Sequence, residues 1–496
     1  MNAPSSRDLR DYDPNPTPLR LLAEQAFSRA AGAPLVAGNS VRILKDAEEN
    51  YPAWLNAIRA ARARIFFENY IVANDEVGRE FVAALADRAR DGVHVYVAYD
   101  WLGSLGMRRH TLWQPLIEAG GTVRCFNPPR LESPFGWLVR DHRKMIAVDS
   151  EVGFVSGLCV SRKWRGDAAR RLESWRDTGI EVRGPAVADI ETAFSQIWAV
   201  TGAPLPPGEL SSADVLPATG DVTLRVLATV PNLAGLYRLD QLIAAMASKT
   251  LWLTDAYFLG MAPYVQALRA AALDGVDVRL LVPGASDLPM LSRLSRAGYR
   301  ALLEGGIRVF EWNGPMLHAK TAVADGRWAR IGSSNLNIAS WMGNYELDIA
   351  VEDERVAYAM EDLYEQDLAN ATEIVLGPRR RVRPTARPER RRIRRRGRGS
   401  AARAAAGALR IGNTVGAAIT NRRVLGPAEA GIMRGVGFAF FILAVSGILW
   451  PAVIAAPLVA LAAWFAIALL IRAEKLGTRS TDETAEPTER VTPPRD

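Results

Sequence analysis

Residues 142–149, HRKMIAVD, and residues 318–325, HAKTAVAD, share one frame: His, then Lys two places on, then Asp five beyond that. The chain of 496 residues carries 61 Lys and Arg together, yet only six are Lys (45, 144, 163, 249, 320 and 475), and it has four His, at 94, 110, 142 and 318. Two of those six Lys sit two residues after two of those four His, with an Asp at a matching distance both times. For independent positions the coincidence has odds on the order of one in 100,000, far stronger than one short motif. A chain that prefers Arg almost everywhere has kept Lys here, which indicates chemistry that wants a compact ammonium on a flexible stem.

The flanks of the two frames match as well. In the first half ARIFFENYIV reads as a buried strand, EFVAALADRARDGV as an amphipathic helix and HVYVAYD as a second strand. In the second half KTLWLTDAYF, YVQALRAAALDGV and DVRLLVPG follow in the same order. Each half continues with a helix ending on Gly and another strand, LWQPLIEAGGTVRCFN and YRALLEGGIRVFEWN. The His frame comes next, then a further apolar strand, EVGFVSG or RWARIGSSN. This alternation predicts an α/β fold built as two pseudo-symmetric α/β/α repeats, with mixed sheets covered on both faces.

The predicted repeats span 38–205 and 206–375, and the Pro-, Gly- and Ser-rich GAPLPPGELSSADVLPATGD reads as the linker between them. Ahead of them stands an N-terminal segment, 1–37, whose stretch TPLRLLAEQAFSRAA has helical periodicity and is expected to pack on the first half. That N-terminus lacks the apolar run of a secretory signal, so the expectation is synthesis into the cytoplasm. The two cysteines, Cys125 and Cys159, form no pattern that implies an oxidising compartment.

Within each frame a strand would put His142 and Lys144 on one face, with Met145 and Ala147 on the other; His318 and Lys320 repeat the arrangement. Pseudo-twofold packing of two such units would give one pocket with two imidazoles and two ammonium groups. An imidazole beside a cation resists protonation and stays a neutral nucleophile. That set suits phosphoryl transfer with no metal or other cofactor: one His attacks phosphorus, the other protonates the leaving oxygen, and the ammonium groups offset charge on the equatorial oxygens. Small donors in GSSN, residues 332–335, would finish an anion pocket. Each His also needs an acceptor to fix its tautomer, and Asp177 in SWRDTGIEV and Glu346 in NYELDIAV are the candidate acids, with their pairing left open.

The doubled HxKxxxxD frame, with GSSN after its second copy, resembles the phospholipase D superfamily. The wider context of ENYIV, DGVHVYVAYDWLGS, RDHRKMIAVD, WRDTGIEVRGPAV, LHAKTAVAD and NYELDIAV is similar to bacterial cardiolipin synthases, over roughly residues 38 to 370. The resemblance implies a covalent phosphatidyl-histidine intermediate, with His142 as nucleophile and His318 as general acid and base. It implies that Lys144, Lys320, Ser334 and Asn335 hold phosphate, and that Asp177 and Glu346 orient the imidazoles. Asp149 and Asp325 complete the catalytic frames as supports outside direct reach of the phosphorus. The implied reaction moves a phosphatidyl group from phosphatidylglycerol to the hydroxyl of a second phospholipid. One departure stands out: by spacing, Cys159 occupies the place of Asn335 and Ser156 that of Gly332. A thiol is a poor anion donor, so phosphate binding is expected to be asymmetric between the halves.

The net charge of +7 belongs to one segment. Residues 379–410 hold fourteen Arg and one Glu, or +13, which leaves −6 for the rest. Beyond this Arg-rich linker, 376–430, lie 37 residues without a formal charge, Gly435 to Ile471. One straight helix of that length would reach about 55 Å against roughly 30 Å of hydrocarbon. Pro451 and Pro457 break it, so 431–475 is expected to form a transmembrane or re-entrant helical hairpin, followed by a polar tail, 476–496. Basic residues on both flanks keep both ends cytoplasmic, and the Arg run would lie against anionic headgroups. The expected location is the bacterial inner membrane, with the catalytic repeats on the cytoplasmic side and phosphatidylglycerol as partner.

Three other readings remain. A hydrolytic phospholipase D would use the same side chains with water as acceptor. A nucleic-acid substrate is disfavoured by the hairpin and by the −6 balance, so no nucleic-acid partner is expected. A non-catalytic lipid-binding membrane scaffold is favoured only by Cys159. His94, placed in a strand, and His110, placed in a loop, carry no partner pattern and read as structural.

Overall fold

The computed structural model describes residues 18–104, 109–128 and 139–375, together with residues 441, 445, 456, 459 and 463. Residues Met1–Arg390 form one compact unit and Arg391–Asp496 another. The expected Arg-rich linker, membrane hairpin and polar tail lie outside the described residues, apart from those five isolated helical positions. Three of the five, Phe441, Val445 and Val459, expose apolar side chains. Among the described residues, no helix is long and apolar enough to cross a membrane.

After α1 (Pro18–Ala31), the first half runs β1 (Val36–Lys45), α2 (Asp46–Ala60), β2 (Arg64–Asn69), α3 (Glu76–Arg90), β3 (His94–Asp100), α4 (Arg109–Glu118), β4 (Thr122–Phe126), β5 (Lys144–Val148), β6 (Val152–Ser156), α5 (Arg162–Arg165), β7 (Thr178–Arg183) and α6 (Val187–Thr201). The second half runs β8 (Val222–Thr229), α7 (Gly235–Met246), β9 (Thr250–Thr254), α8 (Ala262–Leu273), β10 (Asp277–Pro283), α9 (Pro289–Glu304), β11 (Arg308–Trp312), β12 (Thr321–Ala324), β13 (Trp328–Gly332), β14 (Glu346–Val351), α10 (Glu354–Leu368) and β15 (Ala371–Ile374). The duplication is therefore longer than the sequence patterns suggest. Each half also opens with a strand and helix and closes with another such pair.

Spatial order repeats with the chain: β4-β3-β2-β5-β6-β7-β1 in one half, β11-β10-β9-β12-β13-β14-β8 in the other, with β15 at the outer edge. The outer runs β2–β3–β4 and β9–β10–β11 are parallel and the remaining ladders antiparallel, which makes each sheet mixed. The halves join where β1 meets β8 in an antiparallel pair, through Val36↔Leu224 and Asn39↔Val222.

Three cores follow from this layering. One lies between the first sheet and α2, α3 and α4, around Trp54, Phe67, Phe81 and Trp113. Another lies between the second sheet and α7, α8 and α9, around Leu268, Leu280 and Trp341. The central one draws on both halves, with Met145, Val155 and Phe194 packed in the same cluster as Val323, Ile331 and Met360. Burial on both faces explains why β5 and β13 are wholly buried and show no polar alternation.

Two expectations are corrected here. The helix expected in the N-terminal segment, α1, packs on the second half, where Phe27 and Ala31 adjoin its core. Its partners are cationic: Arg225 of β8 donates to Ser28 Oγ at 2.6 Å and to the Ala33 carbonyl at 3.1 Å. The linker read from its composition packs against the first half. Glu209 lies 2.7 Å from His94 Nδ1, and the Ser211 hydroxyl accepts from Arg64 at 2.6 Å. His94 thus holds a structural partner at the start of β3, and His110 falls in α4 rather than a loop.

Candidate active site

The His frames only partly form strands. β5 begins at Lys144 and β12 at Thr321, so His142 and His318 stand on the segments that lead in. Those segments leave their own sheets because they are tied to the opposite half. The His142 amide donates to the Tyr345 carbonyl at 2.9 Å, and the His318 amide to the Arg176 carbonyl at 2.7 Å. Parallel bridges Asp141↔Tyr345 and Arg176↔Leu317 mark the same two crossings.

Tyr345 and Arg176 immediately precede Glu346 and Asp177, so each crossing sets an imidazole beside an acid. His142 Nδ1 lies 2.9 Å from Glu346 Oε2, and His318 Nδ1 lies 2.8 Å from Asp177 Oδ2. The pairing that the sequence leaves open is crossed, each His being served by the acid of the other half. A carboxylate acceptor at Nδ1 places the proton there and leaves Nε2, on the far side of each ring, as the free basic nitrogen.

The two acids are supported differently. Glu346 accepts from the Ser333 and Ser340 hydroxyls, both at 2.6 Å, and from the Asn344 amide at 3.2 Å. Asp177 accepts from Trp164 Nε1 at 2.9 Å and from the Thr178 amide at 2.9 Å. Ser340 and Trp164 occupy corresponding places, eight residues after Gly332 and Ser156. Gly157 corresponds to Ser333, and a Cβ there would lie 2.2 Å from Asp177 Oδ1. Only Gly admits the carboxylate at this approach. Sequence reasoning missed Ser340, Asn344, Trp164 and Gly157, and took Ser333 only as a donor within GSSN, although a common offset from the frame connects Ser333 with Gly157 and Ser340 with Trp164.

Both lysines fold back on their frames. Lys144 Nζ donates to the His142 carbonyl, and Lys320 Nζ donates to the His318 carbonyl and lies 2.9 Å from its Nδ1. Burial holds the His142 imidazole below its ordinary pKa; Lys144 and Lys320 add to this, while Glu346 opposes it. For His318, burial and then Lys320 push the value down to about 3, with Lys144 adding to the effect. Lys320 itself is lowered to about 8, first by burial. Burial works to raise Asp177 and Glu346, but the paired imidazoles and the lysines outweigh it and hold both carboxyls below the usual range. Since charge from both frames reaches both imidazoles, the halves share one electrostatic environment.

The other candidates differ in what their side chains bond. The Ser334 hydroxyl is committed to Asp348, itself paired with Arg330 at 3.1 Å, so it points into the second half. Asn335 is buried, and its side-chain Oδ1 has no protein partner. Cys159 is buried, and its carbonyl accepts from Tyr51. Asp149 and Asp325 stand past the far ends of β5 and β12, at left-handed turns with φ of 54° and 53°. Asp149 accepts from the amides of Arg62, Ala63 and Arg64 at 2.7 to 2.9 Å. Asp325 does the same for Ser248, Lys249 and Thr250. These aspartates lock the strand ends and do not reach the imidazoles.

Doubled mixed sheets, with one His–Lys frame entering each and crossed acid partners, define a phospholipase D-like fold and site. Structural comparison agrees: the crystal structure of phosphatidylserine synthase from Haemophilus influenzae Rd KW20 superposes with a TM-score of 0.56 at 15% identity, covering 71% of this chain and 92% of that one. The sequence profile described as "Cardiolipin synthase, PLD-like domain" matches residues 240–368. Cardiolipin synthase A of Pseudomonas fluorescens (strain SBW25) is 33% identical over 360 residues, 71% of this chain and 73% of that protein. Cardiolipin synthase of Halalkalibacterium halodurans is 34% identical over 327 residues, 64% of each chain. The chain belongs to the cardiolipin synthase family of the phospholipase D superfamily, and is an enzyme of its phosphatidyltransferase class.

Proposed function

We propose that this enzyme makes cardiolipin from phosphatidylglycerol through a phosphatidyl group carried on His142. The observation that supports this most strongly is the crossed pairing of two buried imidazoles with two buried carboxylates, which leaves two Nε2 atoms for one phosphodiester. His142 Nε2 attacks phosphorus as the P–O bond to glycerol breaks, and His318 donates its Nε2 proton to the departing glycerol oxygen. In the second step the hydroxyl of another phosphatidylglycerol gives its proton to His318 as its oxygen displaces His142 from phosphorus. Lys144, Lys320 and the Asn335 amide offset charge on the other phosphate oxygens.

His142 is the nucleophile in this reading because its side chain is the more open, at 11% exposure against 6% for His318. Burial and Lys320 hold His318 near 3, so on its own residues' charges it is neutral at pH 7. The phosphodiester anion supplies the missing negative charge, so His318 takes up its proton as substrate binds. The apolar run near the C-terminus and its Arg-rich approach favour a bacterial inner membrane location, facing the cytoplasm, with phosphatidylglycerol as lipid partner.

Purified protein given labelled phosphatidylglycerol tests the proposal. Cardiolipin plus glycerol is the expected outcome, with His142→Ala and His318→Ala each abolishing turnover. Phosphatidic acid plus glycerol would instead establish a hydrolase, and no product would leave a lipid-binding scaffold.

A further inference from the structure

The two imidazoles have unequal walls. Beside His142 stands Tyr70, ring centroid at 4.8 Å. Around His318 stand Trp164 at 5.2 Å, Trp175 at 5.7 Å and Tyr257 at 5.8 Å. Trp164 and Tyr257 meet it edge-on, at 89° and 80°, whereas Trp175 lies only 35° from parallel and so covers a face of the ring.

Trp175 comes from a feature the second half does not share. From Ser156 to Asp177 the chain takes seven residues more than from the equivalent Gly332 to Glu346. The extra length forms a loop closed at its base by the Trp175 amide donating to the Lys163 carbonyl at 3.1 Å, and pinched midway where Asp167 and Leu172 exchange backbone bonds at 2.7 and 2.9 Å. Ser161 and the Arg162 amide anchor the loop on Asp75 Oδ2, at 3.1 and 2.9 Å. Tyr257 is fixed by its hydroxyl, which donates to Asp287 at 2.8 Å. Trp164 has a second task through its bond to Asp177, whereas among the described residues the Trp175 indole has no such carboxylate partner and its ring lies under the Lys163 ammonium at 5.3 Å.

We infer that Trp175, together with Tyr257, decides what the phosphatidyl–His142 intermediate reacts with, by shielding the His318 imidazole from bulk water. This deepens the proposed function and rests on it. In the second step either acceptor balances the same way: an O–H proton passes to His318 Nε2, an O–P bond forms, and the P–N bond to His142 breaks. With water the product is phosphatidic acid; with a lipid hydroxyl it is cardiolipin. Water at bulk concentration wins unless it is kept off the base. Two apolar walls around that base disfavour a free water, while a lipid hydroxyl arrives tethered to a headgroup that is already bound.

The experiment measures the ratio of phosphatidic acid to cardiolipin formed from labelled phosphatidylglycerol by Trp175→Leu, Trp175→Phe, Tyr257→Leu and the unaltered enzyme, all as full chains. Opening the wall should raise the ratio on the order of tenfold in Trp175→Leu, with Trp175→Phe near the starting value. Tyr257→Leu should shift the ratio in the same direction and carries the test if Trp175→Leu does not fold, as judged by thermal melting. Cardiolipin formed with an unchanged ratio in the folded variants would overturn the inference. An unaltered enzyme that makes no cardiolipin would instead sink the proposed function, so the two failures are distinguishable.

Discussion

Gly157→Ala should cripple catalysis although it adds only one methyl group. The new Cβ would lie 2.2 Å from Asp177 Oδ1 and 2.9 Å from its Cγ, whereas real contacts stay above 3.0 Å. The carboxyl must therefore retreat by about 0.8 Å or rotate away. Either movement disturbs both of its anchors, the 2.8 Å bond to His318 Nδ1 and the 2.9 Å bond from Trp164. Misplacement of about 1 Å in a catalytic group costs about 100-fold, or about 2.7 kcal/mol of transition-state stabilisation. The assay is kcat/KM on labelled phosphatidylglycerol, for Gly157→Ala alone and combined with Asp177→Asn. Because the methyl acts through Asp177, it should add little once that carboxylate is gone. A full and equal loss in both backgrounds, or Gly157→Ala within about threefold of the parent, would refute the reasoning. Gly298→Ala, where a Cβ meets nothing within 4 Å, is the control and should leave the rate unchanged.

Three further outcomes are expected. As pH rises through about 8, kcat/KM should fall because Lys320 loses its charge, while the same group makes folding more favourable from there towards its unfolded value, since the unfolded chain then binds the extra proton; a rate flat from pH 7 to 10 would contradict this. Binding of phosphatidylglycerol in weakly buffered solution should take up about one proton per site, and His318→Gln should abolish the uptake; uptake that persists in the variant would place the proton elsewhere. Asp325→Ala should lower the melting temperature, with a cost of about 1–3 kcal/mol for orphaned amides at a left-handed turn, yet leave kcat of the folded fraction within about tenfold; a stable, inactive variant would return Asp325 to the chemistry.

The frames were legible because duplication makes coincidence measurable: scarce Lys and His recur at fixed offsets that no packing rule demands. The alternation of strand and helix was legible for the same reason. The acid partners were legible as candidates, but their pairing was not, because it depends on His142 and His318 leaving their own sheets to bond Tyr345 and Arg176. That is a tertiary event with no local signature. GSSN offers adjacent hydroxyls that sequence cannot tell apart; backbone direction turns Ser333 to Glu346 and Ser334 to Asp348. Periodicity told that residues 17–31 bury one face but not against which half, a choice settled by the donors Arg225 and Arg238. Gly157 and Trp164 carried their information only in comparison with Ser333 and Ser340.

The claim on which the account turns is that one phosphodiester reacts between the two halves, on His142. Rapid acid-free quenching of the enzyme with phosphorus-labelled phosphatidylglycerol, followed by digestion and mass spectrometry, reads it directly. The account predicts a phosphatidyl adduct on the peptide bearing His142, absent in His142→Ala. An adduct on His318, or full turnover with none on either histidine, would contradict it.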